Sequence, residues 1–138
     1  MSYRYLEHKT DVFIDVIANT LEEALITSAY ATIETMLDRK NVKNIMKKII
    51  KVRGVDLYQL LYNWLEEITI LTITDCFAIN NLTIQIKKNT NYFICATIYG
   101  EKLQIQKHNF KLEIKSPTFH LMSITCNDKV NIRFILDI

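Results

Sequence analysis

Two aspartates stand where a pair of strands would begin and end. Asp11 heads an alternating run to Ala18, with Val12, Ile14, Val16 and Ala18 on one face and Asp11, Phe13, Asp15 and Ile17 on the other. Asp137 closes a second alternating run, in which Ile132, Phe134, Leu136 and Ile138 share the apolar face, and the α-carboxylate of Ile138 follows at once. If the strands Val12 to Ile17 and Val130 to Leu136 pair antiparallel, Asp11 comes to lie beside Asp137. Carboxylates held together repel, so that one takes a proton or all share a cation. Oxygen donors without Cys or His favour Ca²⁺ or Mg²⁺ over zinc, and few protein ligands leave room for several waters. From spacing alone, both aspartates are also readable as solvated strand ends.

Other reactive side chains carry weaker signals. His8, His108 and His120 have no metal-ligand spacing, and no arrangement of Ser, Cys and His marks a nucleophile, so the histidines read as surface or packing residues. Lys115 shares a face with Lys111 and Glu113, opposite Leu112 and Ile114, and by itself is a solvated lysine. Glu101, directly after Gly100, reads as a turn residue. Tyr3 with Tyr5 and Tyr58 with Tyr62 lack neighbouring Lys or Arg clusters and read as packing rather than base-stacking platforms. Cys76, Cys95 and Cys126 are odd in number and without short pair spacing, which fits small core hydrophobes in a reduced interior better than disulfides or a zinc site. The two glycines, Gly54 and Gly100, are too far apart for a phosphate-cradling loop, which excludes Walker and Rossmann sites.

The elements that must position these groups follow from periodicity. The first strand is Asp11 to Ala18. Thr20 stands three before Glu23 as a capping box, and Leu21, Ala24, Leu25, Ser28, Thr32 and Met36 form one face of a helix to about Leu37. Over Lys43 to Arg53, Ile45, Ile49 and Val52 fit a helix while Met46, Lys48, Ile50 and Val52 fit a strand with one intruding lysine, and the β-branched residues ahead of Gly54 favour a strand from about Lys47. Asp56 caps a second helix with Gln59 as return partner, and Leu57, Leu60, Leu61, Trp64, Leu65, Ile68 and Leu71 repeat at helical spacing. Short β runs follow over Phe77 to Lys87, Tyr92 to Tyr99, Lys111 to Lys115, Phe119 to Thr125 and Val130 to Leu136, with Gly100 ending the second and Pro117 at an edge or bend. Two amphipathic helices packed on largely antiparallel β-sheet make an α+β domain.

At 138 residues, 49% hydrophobic and 23% charged, the chain is expected to form a single domain spanning residues 1–138. Its 17 Lys and Arg against 15 Asp and Glu supply no overall electrostatic footprint, so strong direct nucleic-acid binding is not expected and RNA would be reached through a partner. Met1 to Lys9 has no apolar h-region, and the greasy run Ile68 to Ile73 is too short to span a bilayer, so a cytoplasmic protein without membrane partners is expected.

These signals occur in a recognisable order. Tyr5-Leu6-Glu7-His8 leading to Asp11, the helix from Leu21 to Leu37, Gly54 to Glu67, Gly100-Glu101, Lys115-Ser116-Pro117-Thr118-Phe119-His120 and the closing Leu136-Asp137-Ile138 together resemble the archease family along nearly the whole chain. The chain departs from the family pattern at Lys9-Thr10, where Thr-Ala is expected, and at Ser116, where Ala is usual. The resemblance implies a non-enzymatic accessory protein of the RtcB-type RNA ligase in tRNA splicing. Such a protein helps the ligase accept GMP from GTP and restores its multiple turnover. It also implies that Asp11, Asp137 and the Ile138 carboxylate hold a divalent metal, with Lys115, Glu101, His8 and His120 as further functional candidates. Two other classes compete. A metal-dependent phosphohydrolase or nuclease would use the same carboxylates, but a general base and a second acidic ligand set are not recognisable. A protein-binding modulator of an RNA-modifying methyltransferase is compatible with the tyrosines.

Overall fold

The computed structural model describes residues 1–6 and 11–138. The strands are β1 (Ser2–Leu6), β2 (Asp11–Ala18), β3 (Met46–Gly54), β4 (Phe77–Lys88), β5 (Tyr92–Lys102), β6 (Ser116–Cys126) and β7 (Val130–Asp137), with helices α1 (Leu21–Met36) and α2 (Leu57–Ile73). They form a four-stranded sheet in the order β1-β2-β7-β6 and a three-stranded sheet in the order β3-β5-β4, with every pairing antiparallel. The expected α+β class, with two helices on antiparallel sheet, is the observed one.

Helix α1 touches β1, β2 and β7 of one sheet and β4 of the other, while α2 touches β6 of the first and β3, β4 and β5 of the second. The helix pair is therefore shared by both sheets. That placement explains why α1 is buried almost all round, from Ala24 and Leu25 to Ile33 and Met36. Three of its four buried hydroxyls are satisfied within the helix: Ser28 donates to the Ala24 carbonyl at 2.7 Å, Thr32 to the Ser28 carbonyl at 2.9 Å and Thr35 to the Ala31 carbonyl at 2.8 Å, while the Thr27 hydroxyl has no partner among the described residues. The indole N–H of Trp64, fully buried on α2, donates to the Leu25 carbonyl of α1 at 2.8 Å and ties the helices together.

Both helix starts form as the sequence predicts, with one shift. Thr20 accepts from the Glu23 N–H at 3.1 Å and Asp56 from the Gln59 N–H at 2.8 Å. The return bonds reach one residue further back than in the standard capping box: Glu23 accepts from the Asn19 N–H, and Gln59 from the Val55 N–H.

Several expectations need correction. Lys111 to Lys115 is not a strand: the Lys111 N–H donates to the Met36 carbonyl at 2.7 Å and the Lys115 N–H to the Asp137 carbonyl at 2.8 Å. The segment thus bridges the end of α1 to β7, and its alternation reflects the burial of Ile114 and the packing of Leu112 against the core. Conversely, Ser2–Leu6 is an edge strand the sequence reading leaves unassigned, with Tyr3 opposite Val16 and Arg4 opposite Asp15. All three cysteines are exposed free thiols rather than core residues. Cys95 alternates with buried Ile94 and Ala96, Cys76 sits at φ 53 in the turn after α2, and Cys126 ends β6 beside its hairpin.

Gly100 does not end β5 but permits a close approach within it. An ideal Cβ there would lie 1.9 Å from the Ala78 carbonyl oxygen, where β4 shifts register between Ile79 and Asn81.

Candidate metal centre

The pairing of β2 with β7 places Asp11 directly opposite Asp137. Opposed residues of an antiparallel pair share a face, with Cβ atoms about 5 Å apart, so both carboxyl groups project to the same side of the sheet. Each is half-buried, and Ile138, immediately beyond, is 37% exposed. On the other flank of β7, Ser116 stands opposite Asp137, which extends the row to Asp11, Asp137 and Ser116 across three strands. Lys115 enters this end of the sheet through its backbone, donating its N–H to the Asp137 carbonyl, and its side chain is exposed.

The donor set fits a hard, hydrated cation. Among the described residues, three or more His, Cys, Asp and Glu side chains do not gather anywhere in a metal-binding group, so side chains here supply two carboxylates. The Ser116 hydroxyl, opposite Asp137, and solvent are further oxygen donors at this end. That composition suits Mg²⁺ or Ca²⁺ and is wrong for zinc.

A hollow of about 400 Å³ opens beside Asp11, its wall including Tyr5, Phe13, Glu34 and Lys111. Its far side is held by polar contacts. The Lys111 ammonium lies 2.9 Å from the Asp38 carboxylate and donates to the Glu34 carbonyl at 3.1 Å. The amide of Asn109, then Lys111, keep the Asp38 carboxyl below its ordinary range. Tyr3 donates to the Glu34 carboxylate, and burial together with that bond pushes its phenol pKa up.

Asp15, on the same face four residues beyond Asp11, is an anchor that the sequence reading only places on the face opposite Val12, Ile14 and Val16. It is only 2% exposed, yet it accepts from Arg4 at 2.8 Å, Asn131 at 2.7 Å and Arg133 at 3.1 Å. Burial works against its charge, but the bonds from Asn131, Arg4 and Arg133 outweigh it and leave the pKa lowered. With its oxygens engaged by β1 and β7, Asp15 fixes the register that sets Asp11 against Asp137.

Glu101 is placed elsewhere. At 5% exposure it accepts from Lys107 at 2.8 Å and 2.9 Å, from the Lys43 N–H at 2.8 Å and from His108 at 2.9 Å. The Lys107 bond foremost, then the Lys43 N–H and His108, hold its pKa down to about 2. Nδ1 of fully buried His108 accepts the Gln104 N–H at 3.0 Å, which leaves Nε2 as the N–H that donates to Glu101. Glu101 thus clamps the start of the segment that runs on to Lys115. His120 is exposed on β6, where the register shifts between Thr118 and Ser123 and Leu121 adopts φ 56. His8 lies outside the described residues.

The comparisons with known proteins concern the chain as a whole. Residues 3–138 match the model of the Archease protein family (MTH1598/TM1083). The archease of Pyrobaculum islandicum is 36% identical over 141 residues, covering 100% of this chain and 96% of that protein. The archease of Sulfolobus acidocaldarius is 31% identical over 137 residues, covering 99% and 98%. The solution structure of Methanobacterium thermoautotrophicum protein 1598 superposes with a TM-score of 0.79 at 27% identity, covering 99% of this chain and 98% of that one. The crystal structure of a Thermotoga maritima archease, described as a possible chaperone, shares the fold with a TM-score of 0.63 at 18% identity, covering 96% and 94%. The family model, the relatives and the shared fold agree over essentially the full chain, and the protein belongs to the archease family.

Proposed function

We propose that this chain is a cytoplasmic accessory activator of an RtcB-type RNA ligase in tRNA splicing, promoting GTP-dependent guanylylation and multiple turnover of the ligase without itself being the enzyme. The observation that carries the reading is the register that opposes Asp11 and Asp137 at one end of the four-stranded sheet. Asp11 and Asp137, with the Ile138 α-carboxylate as third donor, would hold a divalent cation there. Such a cation, when bound, neutralises phosphate oxygen charge and orients in-line transfer. The chain's own residues supply the platform: Asp15 locks β1, β2 and β7 together, and the Lys115 N–H fixes the Asp137 backbone. The exposed Lys115 ammonium stands ready for a phosphate or a ligase carboxylate.

The test combines binding with turnover. Calorimetric titration with Ca²⁺ and Mg²⁺ is expected to show at least tenfold weaker binding for Asp11→Ala and Asp137→Ala. Multiple-turnover ligation with the cognate ligase should fall by a similar factor, while a single turnover of pre-guanylylated ligase stays unchanged. Unaltered multiple-turnover rates in both variants would remove the metal role, and GTP-dependent guanylylation indifferent to the added protein would remove the ligase role. Sustained RNA cleavage by the pure protein with Mg²⁺ or Mn²⁺ would favour a hydrolase instead.

A further inference from the structure

The chain's charge is segregated in space. Strands β3, β4 and β5 together carry seven Lys and Arg and a single acid, Glu101, which is buried in its clamp. The rest of the chain is accordingly net acidic. Strand alternation divides the three-stranded sheet cleanly: Val52, Ile94 and Ile84 are buried on the helix side, whereas Lys47, Lys51, Arg53 and Lys87 are exposed on the outer face. Among the described residues, none of these four cations has an ion-pair partner, and the one carboxylate of β3, β4 and β5, Glu101, is buried and taken up by Lys107 and His108.

Aromatic residues sit among the cations. Phe93, 37% exposed, occupies the central strand with Arg53 opposite on one side and Lys87 opposite on the other. Tyr99 follows six residues along the same face, about 20 Å away, with Lys47 opposite. A hollow of about 460 Å³ runs across the three strands over Lys51, Arg53, Gln85, Lys87, Phe93 and Cys95.

We propose that this outer face of the β3-β5-β4 sheet binds single-stranded RNA, with Lys47, Lys51, Arg53 and Lys87 on phosphates and a base stacked on Phe93. The cations alone would suit any polyanion. The exposed ring flanked by cations on both neighbouring strands is what favours unpaired nucleotides, because a duplex keeps its base faces stacked inside and an acidic polypeptide has none to offer. Four phosphate contacts make the binding modest and salt-sensitive, so the near-neutral charge of the whole chain is compatible with it. The proposal is independent of the ligase reading and of any metal.

Filter binding of a radiolabelled oligouridine to the full chain, without ligase or divalent ions, tests it. Four contacts predict a slope of about −3 in log affinity against log salt, a loss of roughly fiftyfold between 50 and 200 mM. The pair Lys51→Glu with Arg53→Glu, and the milder Lys51→Gln with Arg53→Gln, should weaken binding at least tenfold and halve that slope. Phe93→Ala should weaken binding about tenfold at fixed salt with the slope unchanged. Bound RNA should also slow alkylation of Cys95 and leave Cys126 unaffected. Far-UV circular dichroism checks that these variants keep the fold. No retention at 50 mM salt, or retention indifferent to the charge variants, overturns the proposal. Equal binding of duplex RNA overturns it too. Equal binding of polyglutamate with no effect of Phe93→Ala would assign the face to an acidic protein partner instead.

Discussion

Glu101 shows how one carboxylate is put to structural use by its neighbours. Held down to about 2 by Lys107, the Lys43 N–H and His108, it takes up a proton less readily in the folded chain than in the unfolded one, where 4.5 is ordinary. The clamp's contribution to stability is therefore complete above about pH 4.5, declines as the pH falls, and is gone below about pH 2. Urea midpoints between pH 6 and pH 2.5 should trace this loss, and Glu101→Gln should be less stable than the parent at pH 6 with a shallower acid decline. Asp15 and Asp38 titrate in the same direction, so part of the slope survives that substitution. At this scale the sequence was informative about charge type and silent about partners. Asp11 beside Asp137 was legible because two alternating runs leave few ways to pair. Glu101 read as a turn residue because Lys43 and His108 reach it only through the fold.

Among the elements, β5 depends on a missing side chain. A methyl group at Gly100 would meet the Ala78 carbonyl oxygen at 1.9 Å, backbone against backbone, at the bulge that lets β4 continue. Gly100→Ala is expected to cost about 3 kcal/mol, read as a lowered urea midpoint with an unchanged slope. Both helices and β2, β4 and β7 were readable from periodicity and caps, since their patterns are local, whereas the periodicity of β3 fits helix and strand alike and only its β-branched residues ahead of Gly54 favoured the strand. Strand β1 was not, because Ser2–Leu6 alternates tyrosines with polar residues and Tyr3 finds its burial against α1 and β2. Lys111 to Lys115 misled for the opposite reason: Leu112 and Ile114 alternate, but the backbone bonds go to Met36 and Asp137 rather than to a ladder.

For the molecule as a whole, the shared helix layer makes the two sheets interdependent. Neither can separate from α1 and α2 without exposing Ile14, Phe134 and Val16 on one side or Ile94, Ala96 and Ile98 on the other. Urea unfolding should therefore follow one transition, with near-UV and far-UV circular dichroism coincident, and two resolved transitions would show the sheets to be separable units. A net charge of +2 averages a basic sheet with an acidic remainder, and only the pairing of β3, β4 and β5 reveals the division. The bond from Trp64 to Leu25 has a practical outcome of its own. As the sole indole in the chain, buried in the seam between the helices, it gives a single intrinsic emission signal. A red shift on adding any ligand would report a loosened helix seam, whereas a silent titration would locate the event on the outer surfaces.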